Sequence, residues 1–402
     1  MINWRRKRIW IGLPLLALLA VAAAIGLSSG RGMNRAMAEW RAQGLPATSE
    51  ELHDWYRAVP VERNAALKVL KAADLHVLAA GAKDPNGIRF GSPGAALSDE
   101  ERQIVADYLA ANQETLAALY EALELPESRY PVQLWQGFNL LRIDHIAPIK
   151  GLGQLLRWEA IDHAINGRRA EAVKSLIAGF ALARTLSEEP ILISELVRIA
   201  VVAINLSALE QLLGMHQLTP EEIQTLQEEL ARTEKEGRRA MFRALVGERA
   251  GGSVIFRGNF HDFARLSGPG TAPSTAQQLF GGTMFALFKV SGLQARDARV
   301  YLETMQDYIS ASTNEFPEAM RMARQAEQNF DERIGKGLGR TAIMSRMLLP
   351  ALLKALTKEG VIAARLRCTS AALQVELMRL KSGAPPENSS GFDLPEDPFN
   401  GQ

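Results

Sequence analysis

The stretch PILISELVRIAVVAINLSALEQLL, Pro190 to Leu213, is apolar on nearly every side at helical spacing. A surface helix keeps one apolar stripe, whereas a helix without a polar face has to be surrounded by protein, so this one belongs at the middle of the structure. Pro190 suits the first-turn position, where a missing N–H costs nothing. Of the three charges in the run, Glu195 and Arg198 stand at i and i+3 and are therefore neighbours on one face. Buried charges are expensive unless paired and hydrogen-bonded. With Glu188 and Glu189 just upstream and Glu248 and Arg249 closing a later helix, the sequence predicts a buried ionic network of Glu188, Glu189, Glu195, Arg198, Glu248 and Arg249. Such a network serves as a clamp between helices or as a ligand or carboxylate site.

The rest of the chain reads helical as well. TSEE at Thr48, SDEE at Ser98 and TPEE at Thr219 have capping-box spacing, and each opens a helix. The second of these helices is expected to run toward Leu125 and the third to about Val246. LLRWEAIDHAINGRRAEAVKSLIAGFALARTL forms two helical stretches hinged near Gly167, with the layout of one tetratricopeptide-like hairpin but no second copy at a fixed period. Later helices are expected at 277–287, 295–312, 318–334, 341–358 and 361–381. No extended alternation of apolar and polar residues appears, so the expected fold is all-α: a single N-terminal membrane helix followed by an irregular antiparallel helical array.

The membrane helix rests on MINWRRKR, with Arg5, Arg6, Lys7 and Arg8, followed by 19 uncharged residues from Ile9 to Leu27. About 20 apolar residues cross a hydrocarbon core, and the basic cluster stays cytoplasmic, which places the bulk of the chain outside the inner membrane. The rival reading is a cleaved signal peptide, for which AVAAAIG offers small residues. The chain divides into a basic stub and anchor (1–29), a helical domain (30–250), an irregular loop region (251–275), a C-terminal helical region (276–382) and a Pro/Ser-rich tail (383–402).

Charge is balanced, 46 Lys and Arg against 45 Asp and Glu, which argues against nucleic acid as a partner. The single cysteine, Cys368, excludes an intramolecular disulfide and a multi-thiolate zinc site, and its helical apolar surroundings predict a small core residue. No phosphate-binding loop, nucleophile elbow, HExxH or dinucleotide fingerprint is present; GKGLGRT lacks the required spacing. No catalytic residue, cofactor or metal is therefore assigned. Asp144-His145 and Asp162-His163 lie eighteen residues apart, on one face of a continuous helix but about 27 Å apart along it, too far for one metal ion. His145 and His163 remain weak candidates, expected to sit near helix ends or to bond a neighbouring carbonyl. Phe256, Arg257, Phe260, His261 and Phe263 read as an amphipathic loop.

VPVERNAALKVLKAADL, SRYPVQLWQGFNLL, EEPILISELVRIAVVAINLSALEQLL, VGERA and the closing LPEDPFNGQ together resemble a family of uncharacterised membrane-anchored helical proteins of planctomycete-type bacteria. The resemblance implies architecture and no activity. The Asp-Pro-Phe ending is also similar to secretion pseudopilin C-termini, where such a segment lies beside a small sheet; this chain stops at Gln402, so no closing strand is expected. The expected function is a membrane-anchored scaffold with a protein partner, with an envelope hydrolase or a small-molecule or lipid-binding protein as alternatives.

Overall fold

A computed structural model describes residues 33–78, 83–138, 140–256, 291–335, 341–383 and 396–401, with isolated positions between 282 and 289. The basic cluster, the apolar run 9–27, residues 257–281, most of GKGLGRT and the tail segment 384–395 lie outside the described residues.

Among the described residues the fold is all-α. The helices are α1 (Ser49–Trp55), α2 (Ala65–Leu75), α3 (Asp99–Ala111), α4 (Gln113–Leu123), α5 (Ile146–Ile165), α6 (Arg169–Arg184), α7 (Leu192–Met215), α8 (Pro220–Gly252), α9 (Leu293–Ser312), α10 (Glu318–Gly335), α11 (Ile343–Leu348) and α12 (Pro350–Ser382). Residues 33–42 are helical too. The capping signals work as read: Thr48 accepts from the Glu51 N–H, while Ser98 with Glu101 and Thr219 with Glu222 form reciprocal boxes. Gly167, at φ 73°, closes the α5–α6 hairpin in a conformation that an L side chain rarely takes.

Helix α7 lies where its composition requires. It packs on α5, α6, α8 and α12. By length and composition it could cross a membrane, but it is mostly buried inside the fold, as the core helix of an array is. One hydrophobic cluster runs from Met37 to Leu373 and joins elements on both sides of the 251–275 stretch.

Three elements differ from the sequence expectation. The helix expected from Asp99 to Leu125 breaks at Asn112, which is fully buried. Its Nδ2 donates to the carbonyls of Val77 (2.8 Å) and Tyr108 (2.9 Å), and its Oδ1 accepts the Val77 N–H (3.0 Å), so the side chain holds the exit of α2. Helix α8 runs on through Gly252, because its glycines are contact points rather than breaks. A Cβ at Gly247 would lie 1.8 Å from the Pro190 carbonyl oxygen, one at Gly251 2.4 Å from the Phe138 ring, and one at Gly252 2.2 Å from the Tyr301 hydroxyl.

The third difference is α12, which continues through Glu359-Gly360 where two helices were expected. Gly360 leaves room for the ring of Phe399, 3.1 Å from where a Cβ would stand. The closing DPFNG thus docks on the helical body. Asp397 Oδ1 accepts from the N–H groups of Phe399 (2.7 Å) and Asn400 (3.2 Å), and Phe399 packs against Phe316, Ala319, Met320 and Ala363. Cys368, expected in the core, is exposed on α12.

Gly247→Ala tests the close crossing. At a free helical position the change would stabilise by up to about 1 kcal/mol; against the Pro190 backbone it is expected to destabilise by about 3 kcal/mol in urea unfolding.

Candidate functional site

Two of the three charged residues of α7, Glu195 and Arg198, form a bidentate pair. Arg198 Nε and Nη2 donate to Glu195 Oε2 (2.6 Å) and Oε1 (2.8 Å), and the two residues are 3% and 1% exposed. Burial pushes the Glu195 carboxyl up against the pull of Arg198. Burial also pulls the Arg198 guanidinium down, but Glu195, with Glu359 and Glu236 beyond it, outweighs that and holds it above its ordinary value.

The other four members of the expected network stand apart from this pair. Glu188 is half exposed and pairs with Arg243 at 3.0 Å. Glu189, fully buried, turns to His145 instead of an arginine: His145 Nε2 donates to its two oxygens at 3.1 and 3.0 Å, and Ser194 Oγ donates at 2.6 Å. Glu248 accepts the Leu192 N–H at 3.1 Å and so caps α7, while burial pushes its carboxyl up to about 7. Arg249 has no carboxylate partner among the described residues. It lies over the Trp40 ring at 3.9 Å and donates to Gln306 (2.8 Å) and the Pro46 carbonyl (3.4 Å), with burial lowering it to about 10.

The partner that sequence reasoning missed is Glu359 on α12. It is 4% exposed, pairs with Arg238 on α8 at 3.1 Å and leaves Oε2 without a hydrogen bond. Burial pushes its carboxyl up to about 7, against Arg238. Its neighbour Gly360 made it look like a helix end. Arg238 and Glu359 therefore join α8 to α12, while Glu195 and Arg198 pair within α7 and are coupled to Glu359 through charge alone, an arrangement that reads as a structural clamp.

The two histidines part company. His163, half-buried at the C-terminal end of α5, keeps an enclosed Nδ1 without a partner; burial and then Arg168 lower its pKa. His145 precedes α5, is 8% exposed and stacks on Tyr130 with ring centroids 4.7 Å apart. It lines a cleft of about 410 Å³ whose walls include Leu70, Val132, Leu140, Arg142 and Asp144. Arg142 and Asp144, two residues apart and both exposed, pair at 2.7 Å.

Two larger clefts flank α8. One, of about 640 Å³, is lined by Arg57, Arg184, Arg232, Arg239 and Arg243 with Glu124, Glu127, Glu188 and Glu236. The other, of about 730 Å³, has Trp55 and Phe242 beside Lys235, Arg238, Arg239 and Arg243. Arg239 and Arg243 belong to both. No group of His, Cys, Asp and Glu among the described residues could hold a metal ion. No family model, curated protein or solved structure matches this chain.

The clamp has a pH signature. Glu359 is raised from about 4.5 to about 7 in the folded state, so between those values the fold keeps a proton that the unfolded chain releases. The unfolding free energy therefore falls as pH rises through this window, by on the order of 3 kcal/mol for this group. Urea unfolding at pH 5 and pH 8 is expected to show the loss, and Glu359→Gln is expected to reduce it while leaving the similar part that Glu248 contributes.

Proposed function

We propose that the protein is a membrane-tethered helical interaction protein of the bacterial envelope. Residues 9–27 are its single-pass anchor, the basic cluster before them is cytoplasmic and the helical body lies outside. The observation that carries this reading is the seating of residues 33–42. Met37 and Trp40 are each 5% exposed, and Trp40 lies under Arg249. Only residues 28–32 separate the anchor from this helix, a reach of at most about 18 Å. The body is thus held close to the bilayer, presenting fixed clefts to its surroundings.

The ridge of α8 is the docking surface in this reading. Arg232, Lys235, Arg239 and Arg243 recur at spacings of three and four, which places them along one face over about 16 Å. Lys235 and Arg239 are exposed and hold no carboxylate among the described residues. With Trp55 and Phe242 beside them, they suit an acidic segment of a partner protein carrying an apolar side chain. The tetratricopeptide-like layout of α5 and α6 and the resemblance to membrane-anchored helical proteins support the same role. A second reading, an envelope hydrolase or small-molecule-binding protein, is favoured by one observation, the Glu189–His145 pair at a cleft.

The test is in-cell crosslinking of the tagged full-length chain in its own host, followed by mass spectrometry, beside a Lys235→Glu/Arg239→Glu variant. The expected result is a reproducible membrane-fraction partner whose recovery falls at least tenfold in the variant. Equal recovery would move the docking surface elsewhere. Release of the full chain from membranes by alkaline carbonate would refute the anchor.

A further inference from the structure

The segment Asp397-Pro398-Phe399-Asn400-Gly401 takes its shape from its own atoms. Asp397 Oδ1 accepts the N–H groups of Phe399 (2.7 Å) and Asn400 (3.2 Å), and the Asp397 carbonyl accepts the Gly401 N–H at 2.9 Å. Pro398 removes backbone freedom after the aspartate, and Gly401, at φ 74°, closes the turn against Pro317. A turn held this way presents an aromatic ring at little entropic cost, on this chain or on another.

The body supplies the other half of the contact. Phe316, Ala319, Met320 and Ala363 form a hydrophobic cluster apart from the main core, and Phe399 is the partly buried ring that packs against it. Gly360 opens the floor, since a Cβ there would stand 3.1 Å from the ring. The walls do not depend on the turn: Ala323, Ala326 and Phe330 tie α10 to the main core, and Arg238 lies over the Phe316 ring at 4.3 Å. Arg367 Nη1 adds one hydrogen bond, to the Glu396 carbonyl at 2.5 Å. The described contacts of the segment are thus a ring, the buried Pro398 and this bond, set against the cost of ordering its backbone, a balance that permits exchange. Beside the seated turn lies an open cleft of about 350 Å³, lined by Arg321, Arg324, Gln325 and Gln328 together with Phe399 and Asn400. Arg321 pairs with Glu318, whereas the exposed Arg324 holds no carboxylate among the described residues.

We propose that this pocket is a recognition site for a protein segment carrying an Asp-Pro-aromatic turn, and that the chain's own turn is its resident occupant, displaced when a partner presents the same chemistry. The aromatic ring enters over Gly360, the aspartate keeps the turn, and acidic residues flanking it meet Arg324. The site uses neither Lys235 nor Arg239.

The probe is a fluorescein-labelled peptide, Glu-Asp-Pro-Phe-Asn-Gly with blocked ends, and the readout is its anisotropy on the full-length chain and on the Phe399→Ala variant. The expected result is binding to Phe399→Ala at least tenfold tighter than to the parent, where the tethered turn competes at high effective concentration. A peptide with alanine in place of phenylalanine is expected to bind at least tenfold more weakly. Phe399→Ala/Gly360→Leu, which fills the floor with a good helix former, is expected to abolish binding. In the ¹H–¹⁵N spectrum of the parent, excess unlabelled peptide is expected to shift the Gly401 amide as the resident turn is released, a readout that needs no variant. An unmoved Gly401 amide together with no binding to Phe399→Ala would overturn the proposal. So would equal affinity for the two peptides, equal affinity of the parent and Phe399→Ala, or binding that survives Gly360→Leu.

Discussion

The Glu195–Arg198 pair is the constraint around which the array is arranged. An all-apolar helix buries equally well in several rotations, because hydrophobic burial has no direction. A bidentate ion pair has direction, and an ion pair that loses its alignment in a dry interior is heavily penalised. Arg198 reaches toward α8 at Gly237, where a Cβ would come within 2.7 Å of its Nη2. Glu236 and Glu359 lie beyond it and support its charge. One guanidinium thus sets α7 against α8 at Gly237. Glu248 adds a second fixed point by capping the start of α7.

Much of the architecture was legible because its causes are local. The capping boxes, the hinge at Gly167 and the central place of α7 all follow from residues within a few turns of one another. The missed features have causes that lie far along the chain. Gly247 and Gly360 look like breaks in isolation; Pro190, 57 residues before the first, and Phe399, 39 residues after the second, turn them into contact points. Asn112 looks like an ordinary helical residue until Val77 supplies its partners. The closing Asp-Pro-Phe turn likewise docks on α12, a use that its local pattern does not specify.

The candidate site divides in the same way. Glu195 and Arg198 are three residues apart and pair as their spacing requires. Glu189 finds His145 at a separation of 44 residues, and Arg238 finds Glu359 at 121. Neither pairing leaves a signal in local spacing, so six residues expected in one network serve separate ends. The consequence for function is a division of labour. The Glu195–Arg198 and Arg238–Glu359 pairs are enclosed, while Lys235 and Arg239 on α8 are exposed.

That division makes Arg198 decisive. Equilibrium unfolding should be compared for Arg198→Met, Glu195→Leu and the double variant Glu195→Leu/Arg198→Met. If the pair is a clamp, Arg198→Met strands a buried carboxylate and costs about 3–5 kcal/mol or prevents folding, while the double variant recovers to within about 2 kcal/mol of the parent. A fully stable Arg198→Met protein that lost a bound ligand would contradict the account and make the pair a binding site.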